Sequence, residues 1–128
     1  LHPEKIPSAI ERYTNEIKRV LGVLDGVLSA KPDSAQWLVG DRFTYADLAF
    51  VPWNDRLDAT LGVPDEQKFA GFPHVQAWHE SMVQRPSWKK AMQHRALFMD
   101  EQGLDWNGMP KGTKNFQEYE ASIEAVDK

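Results

Sequence analysis

The sequence contains no cysteine. That excludes disulfides, thiolate metal sites and a cysteine nucleophile, and it fits a reducing compartment such as the cytoplasm. No apolar run approaches the length of a membrane span, and the first residues do not resemble a secretory leader. Basic residues are the minority, fifteen against nineteen acidic, with a net charge of −4 and no basic block, so the footprint of a nucleic-acid binder is missing. No glycine-rich loop follows a strand, and His79-Glu80 lacks the second histidine of a zincin helix. The expectation is therefore a protein with no metal, no nucleic-acid partner and no membrane association.

What is present is ordinary globular material: 128 residues, 41% hydrophobic and 27% charged. A chain of that length makes one domain that buries about two-thirds of the surface its unfolded form exposes. It opens on Leu1 followed by His2-Pro3. That start reads as the C-terminal part of something longer.

Apolar spacing makes the chain all-α. From about Glu4 to Ala30, Ile6, Ile10, Tyr13, Ile17, Val20, Leu24 and Val27 recur at steps of four and three, and Leu21 and Leu28 widen the stripe. Such a helix is roughly 40 Å long. Its charged side carries Arg12 and Glu16, spaced to pair at i,i+4. Lys31-Pro32-Asp33-Ser34 ends it, because proline restricts the residue before it and Asp-Ser favours a turn.

The stretch from Trp37 to Asn54 organises the rest. Thr44 is an N-cap, Asp47 stands three residues on to complete a capping box, and Phe43 and Leu48 hold the staple positions. Thr44 and Asp47 are structural cap residues in this reading. Between Tyr45 and Trp53 the only charge is Asp47, which predicts a central helix without a wet face, running from Thr44 to about Leu61 and stopped by Gly62. Pro52 falls inside it, removes a backbone hydrogen bond, crowds the carbonyl of Leu48 and predicts a kink that re-aims Trp53 and Asn54. A third helix runs from His74 to about Gln84, with Pro73 at its start and Val75, Trp78 and Met82 inward. A fourth runs from Pro86 to about Gln102 with Trp88, Ala91, Met92, Arg95 and Met99 on one side. A loop with Trp106 follows, then a capping box at Asn115 that starts a short terminal helix.

Chemistry is sparse. His74 and His79 lie five apart, about 140° around a helix, which makes a poor metal pair, and all four histidines read as surface or capping residues. Arg12 sits at the edge of the first apolar stripe. It is either a solvated partner of Glu16 or a guanidinium that holds a thiolate or carboxylate of a small ligand.

Trp37-Leu38-Val39-Gly40-Asp41 followed by Thr44-Tyr45-Ala46-Asp47-Leu48-Ala49 resembles the signature of the C-terminal helical domain of cytosolic glutathione transferases. Finer matches, His2-Pro3-Glu4-Lys5-Ile6, Ala9-Ile10-Glu11-Arg12-Tyr13, Phe50-Val51-Pro52-Trp53-Asn54 and the tail from Glu101 to Pro110, resemble the fungal branch related to a yeast nitrogen-catabolite regulator. The resemblance implies a helical bundle of that domain's type and conjugation of glutathione to electrophiles, or glutathione-dependent disulfide reduction, in detoxification. It also implies a homodimer, with glutathione as co-substrate and no covalently bound cofactor. In that family a thioredoxin-like domain holds glutathione and the residue that activates its sulfur. No stretch here matches it, and the match begins after the first helix of the C-terminal domain. The resemblance therefore implies the second-substrate half, inactive by itself. It places Arg12 near the glutathione sulfur as a supporting catalytic contact, and Trp53 and Asn54 as substrate contacts. The alternative is a non-catalytic regulator or assembly module on the same fold.

Overall fold

The computed structural model describes residues 6–105 and 108–113, together with Glu118, Ala121 and Ala125. Trp106 and the Asn115 capping box lie outside the described residues. The chain divides between Arg85 and Pro86 into two compact units. Among the described residues every regular element is helical, in the all-α architecture that the spacing predicts.

The first unit opens with α1, Pro7–Ser29, whose first turn is set by proline at N1, where its fixed φ and missing N–H cost nothing. Its most deeply buried residues are Leu21 and Leu28, the pair that only widens the predicted stripe. Ile6, Ile10, Tyr13, Val20 and Val27 stay exposed, Tyr13 by 66%. The side of α1 that carries Leu21, Asp25 and Leu28 packs on α5, and most of the predicted stripe faces away from the packed core.

The expected single helix from Thr44 to Leu61 is instead three short ones: α2 (Tyr45–Leu48), α3 (Val51–Asp55) and α4 (Leu57–Leu61). The first interruption falls immediately before Pro52, which has no N–H to give to the carbonyl of Leu48, so α3 restarts with proline in its first turn. The second falls at Arg56, whose φ of −106° and ψ of 10° leave the helical region. Its N–H reaches back only three residues, to the carbonyl of Trp53. Gly62, at φ 67°, ends α4 in the left-handed conformation that glycine adopts without strain. The segmented helix also has a wet face, contrary to the sequence reading. Asp47, Val51, Asn54 and Leu57 recur at helical spacing and are buried, while Tyr45 is 87% exposed and Leu48 and Trp53 are also open.

A 3₁₀ turn, Asp65–Gln67, leads to buried Lys68 and Phe69. Then α5, Pro73–Val83, buries Val75, Trp78 and Met82 as the periodicity predicts, each contributing about 1.5–3 kcal/mol of transfer free energy. His79 is buried beside them, only 4% exposed, with its ring 5.1 Å from that of Phe69. The surface reading of all four histidines fails at His79, because position 79 falls between the Val75–Trp78–Met82 stripe and the Phe69 anchor.

The second unit contains α6, Pro86–Glu101, with no fully buried residue. Trp88, Met92, Arg95 and Met99 are half-buried, and Leu97 and Phe98 are open. After α6 the chain doubles back. Leu104 and Pro110 form an isolated antiparallel bridge, Asp105 donates its N–H to the carbonyl of Met109 at 2.7 Å, and Lys111 pairs with the Asp100 carboxylate.

Candidate functional site

One carboxylate fixes the segment that carries Trp53 and Asn54. Asp47 is fully buried, and its two oxygens receive four hydrogen bonds. Oδ2 accepts the N–H of Thr44 at 2.9 Å and its hydroxyl at 3.3 Å, closing the capping box around α2. Oδ1 accepts the N–H of Leu38 at 3.0 Å and the indole N–H of Trp78 at 2.9 Å. The box predicted as a local start signal thus also pins the preceding loop and α5. The ring of Phe50 meets Trp78 at 5.6 Å, a tilted edge contact that continues the same seam. At the loop, Phe43 takes Trp37 edge-on at 5.5 Å, and the Arg85 guanidinium lies 4.3 Å from its ring centroid.

A second carboxylate orients α1 against α5. Phe72, the N-cap of α5, offers no side-chain cap. Asp25 of α1 supplies one from afar: its Oδ1 accepts the N–H groups of His74 at 2.8 Å and Val75 at 3.0 Å, and Oδ2 lies 3.2 Å from His74 Nδ1. Burial would raise the pKa of Asp25, but the hydrogen bonds from Val75 and His74 outweigh it and hold the carboxyl below its ordinary value. Sequence reading passed over Asp25. The available signal was negative: Phe72-Pro73 begins a helix with no Ser, Thr, Asp or Asn in place to cap it.

Between α1 and α3 these anchors leave an apolar hollow of about 240 Å³. Glu16, Ile17, Val20, Leu21 and Leu24 of α1 form one wall, with Phe50 and Leu57 on the other, and Trp53 and Asn54 complete the lining. Trp53 is 77% exposed, while Asn54 is 4% exposed with its amide Nδ2 unpartnered. A buried amide donor without an acceptor costs about 1–3 kcal/mol. The structure therefore brings Trp53 and Asn54 together on one concavity.

Arg12 is not among the residues that line this hollow. It is exposed on α1, four residues before Glu16. The anticipated Arg12–Glu16 pair is replaced by a two-pronged contact from Arg19, whose Nε and Nη2 donate to Glu16 at 2.9 and 2.8 Å. The Arg19 hydrogen bond holds the Glu16 carboxyl below its ordinary pKa, with a weaker contribution from the Arg12 charge. Among the described residues no cluster of three metal-ligating side chains occurs, and no helix is long and apolar enough to cross a membrane.

Residues 3–86 match the family described as glutathione S-transferase, C-terminal domain. The chain belongs to that family. It is 44% identical over 95 residues to the glutathione S-transferase-like protein tpcF of Aspergillus fumigatus, across 71% of this chain and 42% of the relative. It is 35% identical over 119 residues to the transcriptional regulator URE2 of Saccharomyces cerevisiae, across 71% of this chain and 32% of that protein. Among solved structures it is similar to the glutathione transferase URE2P6 of Phanerochaete chrysosporium in complex with oxidized glutathione. That likeness has a TM-score of 0.65 and 46% identity, and it covers 74% of this chain and 41% of that one. The chain thus spans about two-fifths of the length of the first relative and less of the regulator. The family and the fungal branch read from the Trp37–Ala49 and Phe50–Asn54 motifs are borne out.

Proposed function

We propose that this chain is the second-substrate half of a glutathione transferase or glutathione-dependent disulfide reductase. Membership of the family carries this reading. Further support comes from URE2P6, whose structure holds oxidized glutathione. In this reading glutathione is the co-substrate, bound and activated by a thioredoxin-like half that this chain does not contain. The chain supplies a wall for the electrophile or disulfide, through Trp53 and Asn54. Arg12 steadies negative charge on sulfur. A guanidinium stays protonated in proteins, so it acts by charge and hydrogen bonding and never as a base. The exposed apolar residues of α1 favour self-association, and the protein is read as a cytoplasmic homodimer.

The test is conjugation of glutathione to 1-chloro-2,4-dinitrobenzene, and reduction of a glutathione mixed disulfide, by the full-length protein and by the 128-residue chain. The full-length protein is expected to turn over at least one of the two. The chain alone is expected to do neither and not to be retained on immobilised glutathione. Turnover by the chain alone would remove the basis of the two-half reading. The likeness to a transcriptional regulator favours a second reading, a non-catalytic regulatory domain. An inactive full-length protein that still binds glutathione would select it.

A further inference from the structure

A cavity of about 270 Å³ lies between α1, the end of α4 and the segment that runs from Val63 to Phe72. It falls just below the range of about 300–1,000 Å³ that holds drug-sized ligands, so it suits a smaller molecule. Leu21, Leu61, Val63, Ala70 and Phe72 make its wall mainly apolar. At Gly22 a Cβ would meet Phe72 Cε1 at 3.7 Å, so that ring lies close against α1. Among the described residues only Leu21 also lines the α1–α3 hollow, and the two concavities are separate.

The charged part of the wall carries one sign. Lys18 and Lys68 line it together with Thr14 and Gln67, and among the described residues no carboxylate does. Asp65 and Glu66, immediately before Gln67, line a different cavity beside His79. The Lys68 ammonium is engaged, donating to Asp65 Oδ1 at 2.6 Å and to the carbonyl of Asp55 at 3.3 Å. Lys18 differs. Its neighbours one helical turn away are Thr14, Asn15, Leu21 and Gly22, none of them acidic, and among the described residues its ammonium has no partner. A helical threonine commonly donates to the carbonyl four residues back, as Thr60 does to Arg56 at 3.1 Å. The half-buried Thr14 makes no such bond, and the Gln67 amide is likewise without a partner among the described residues. Donors with unspent capacity, one of them charged, thus border an apolar wall that holds no negative charge. An inorganic anion would leave that wall uncovered.

We propose that this cavity binds a monocarboxylate on a short apolar body, of the arylalkanoate class. Its carboxylate takes the Lys18 ammonium and the donors of Thr14 and Gln67, and its ring lies on Leu61, Val63 and Phe72. The site does not rest on the glutathione reading.

The experiment titrates the protein with 4-phenylbutanoate at constant ionic strength and follows its amide resonances by NMR. Saturable shifts are expected at the Gln67 side-chain amide and at the backbone amides of Val63 and Ala70. The alcohol 4-phenylbutan-1-ol, which keeps the apolar body and lacks the charge, is expected to bind about tenfold more weakly. Lys18→Met should weaken binding of the acid about fivefold and leave the alcohol unchanged, while Lys18→Arg retains the acid. Lys18 is exposed, so neither substitution disturbs the fold. Ala70→Trp, at an exposed lining position, fills the cavity and should abolish binding. Equal affinity for acid and alcohol, unchanged acid affinity in Lys18→Met, wild-type affinity in Ala70→Trp, or shifts confined to Trp53 and Asn54 would overturn the proposal.

Discussion

Trp78 Nε1 donates to Asp47 Oδ1 across 2.9 Å, between residues 31 apart in sequence, and both partners are buried. One carboxylate therefore satisfies an indole, a helix cap and a loop amide at once. Asp47→Ala leaves the N–H groups of Leu38, Thr44 and Trp78 without their acceptor. The expected loss is about 3–5 kcal/mol, the range for removing one partner of a buried charged network. Urea unfolding measures it, and a loss under 1 kcal/mol would mean that water replaces the carboxylate.

Asp25→Asn tests the long-range cap of α5. Losing such a cap costs about 1 kcal/mol. The native pKa of Asp25 lies below its unfolded value of 3.8. Its stabilisation is therefore complete above the unfolded value and disappears as pH falls through the native one. Wild type is expected to exceed the variant in stability at pH 7 and to converge with it as acid protonates the native carboxyl. A gap independent of pH would remove the carboxylate from the explanation.

For His79 the direction at acid pH is the same but the window is higher. An imidazole of ordinary pKa 6.5 that is held near 4 in the native state binds its proton more readily when unfolded. Stability is complete above pH 6.5 and erodes between there and pH 4, by on the order of 3 kcal/mol in full. His79→Phe, which keeps an aromatic ring beside Phe69, should flatten that dependence. Denaturation midpoints at pH 7 and pH 5 decide, and the same slope in both proteins would contradict the assignment.

In the full-length protein, Arg12→Ala is expected to lower kcat/KM for disulfide reduction about tenfold through loss of a charge-assisted contact. Because Arg12 is exposed, stability should change by less than about 0.5 kcal/mol. Unaltered turnover would return Arg12 to the solvated surface.

Trp53→Ala separates a substrate role from a packing role. At 77% exposure the indole contributes little to the core. The expected result is a several-fold rise in KM for an aromatic electrophile with unfolding hardly changed, the pattern of lost uniform binding. A large stability loss with KM unaltered would reverse the reading.

Much of the architecture was legible because it rests on local rules. The capping box at Thr44 and Asp47, the proline starts of α5 and α6, the left-handed stop at Gly62 and the Val75–Trp78–Met82 stripe are all short-range signals. What escaped depends on the partner. On α1 the residues from Ile6 to Val27 form a good stripe, yet α5 packs against the Leu21–Leu28 side, and spacing cannot say which side finds a neighbour. Between Thr44 and Leu61 the apolar run obscured the interruption at Arg56, where no proline marks the break. His79 became an interior group, and Asp25 a half-buried cap, through the packing of α5 on distant Phe69 and α1. Of the candidate site, Trp53 and Asn54 were reachable from the proline kink. Arg12 is exposed on α1 and does not line the hollow, so spacing alone gave no way to place it.

The cap from Asp25 also bears on the order of folding. A helix capped by its own N-cap residue can begin locally, but the first turn of α5 waits for a carboxylate 49 residues upstream of His74. Closing a loop of that length costs entropy before any hydrogen bond is returned. The start of α5 is therefore a docking event rather than a nucleus. The amides of His74 and Val75 should exchange with solvent when α1 and α5 separate, and not through fraying at the helix end.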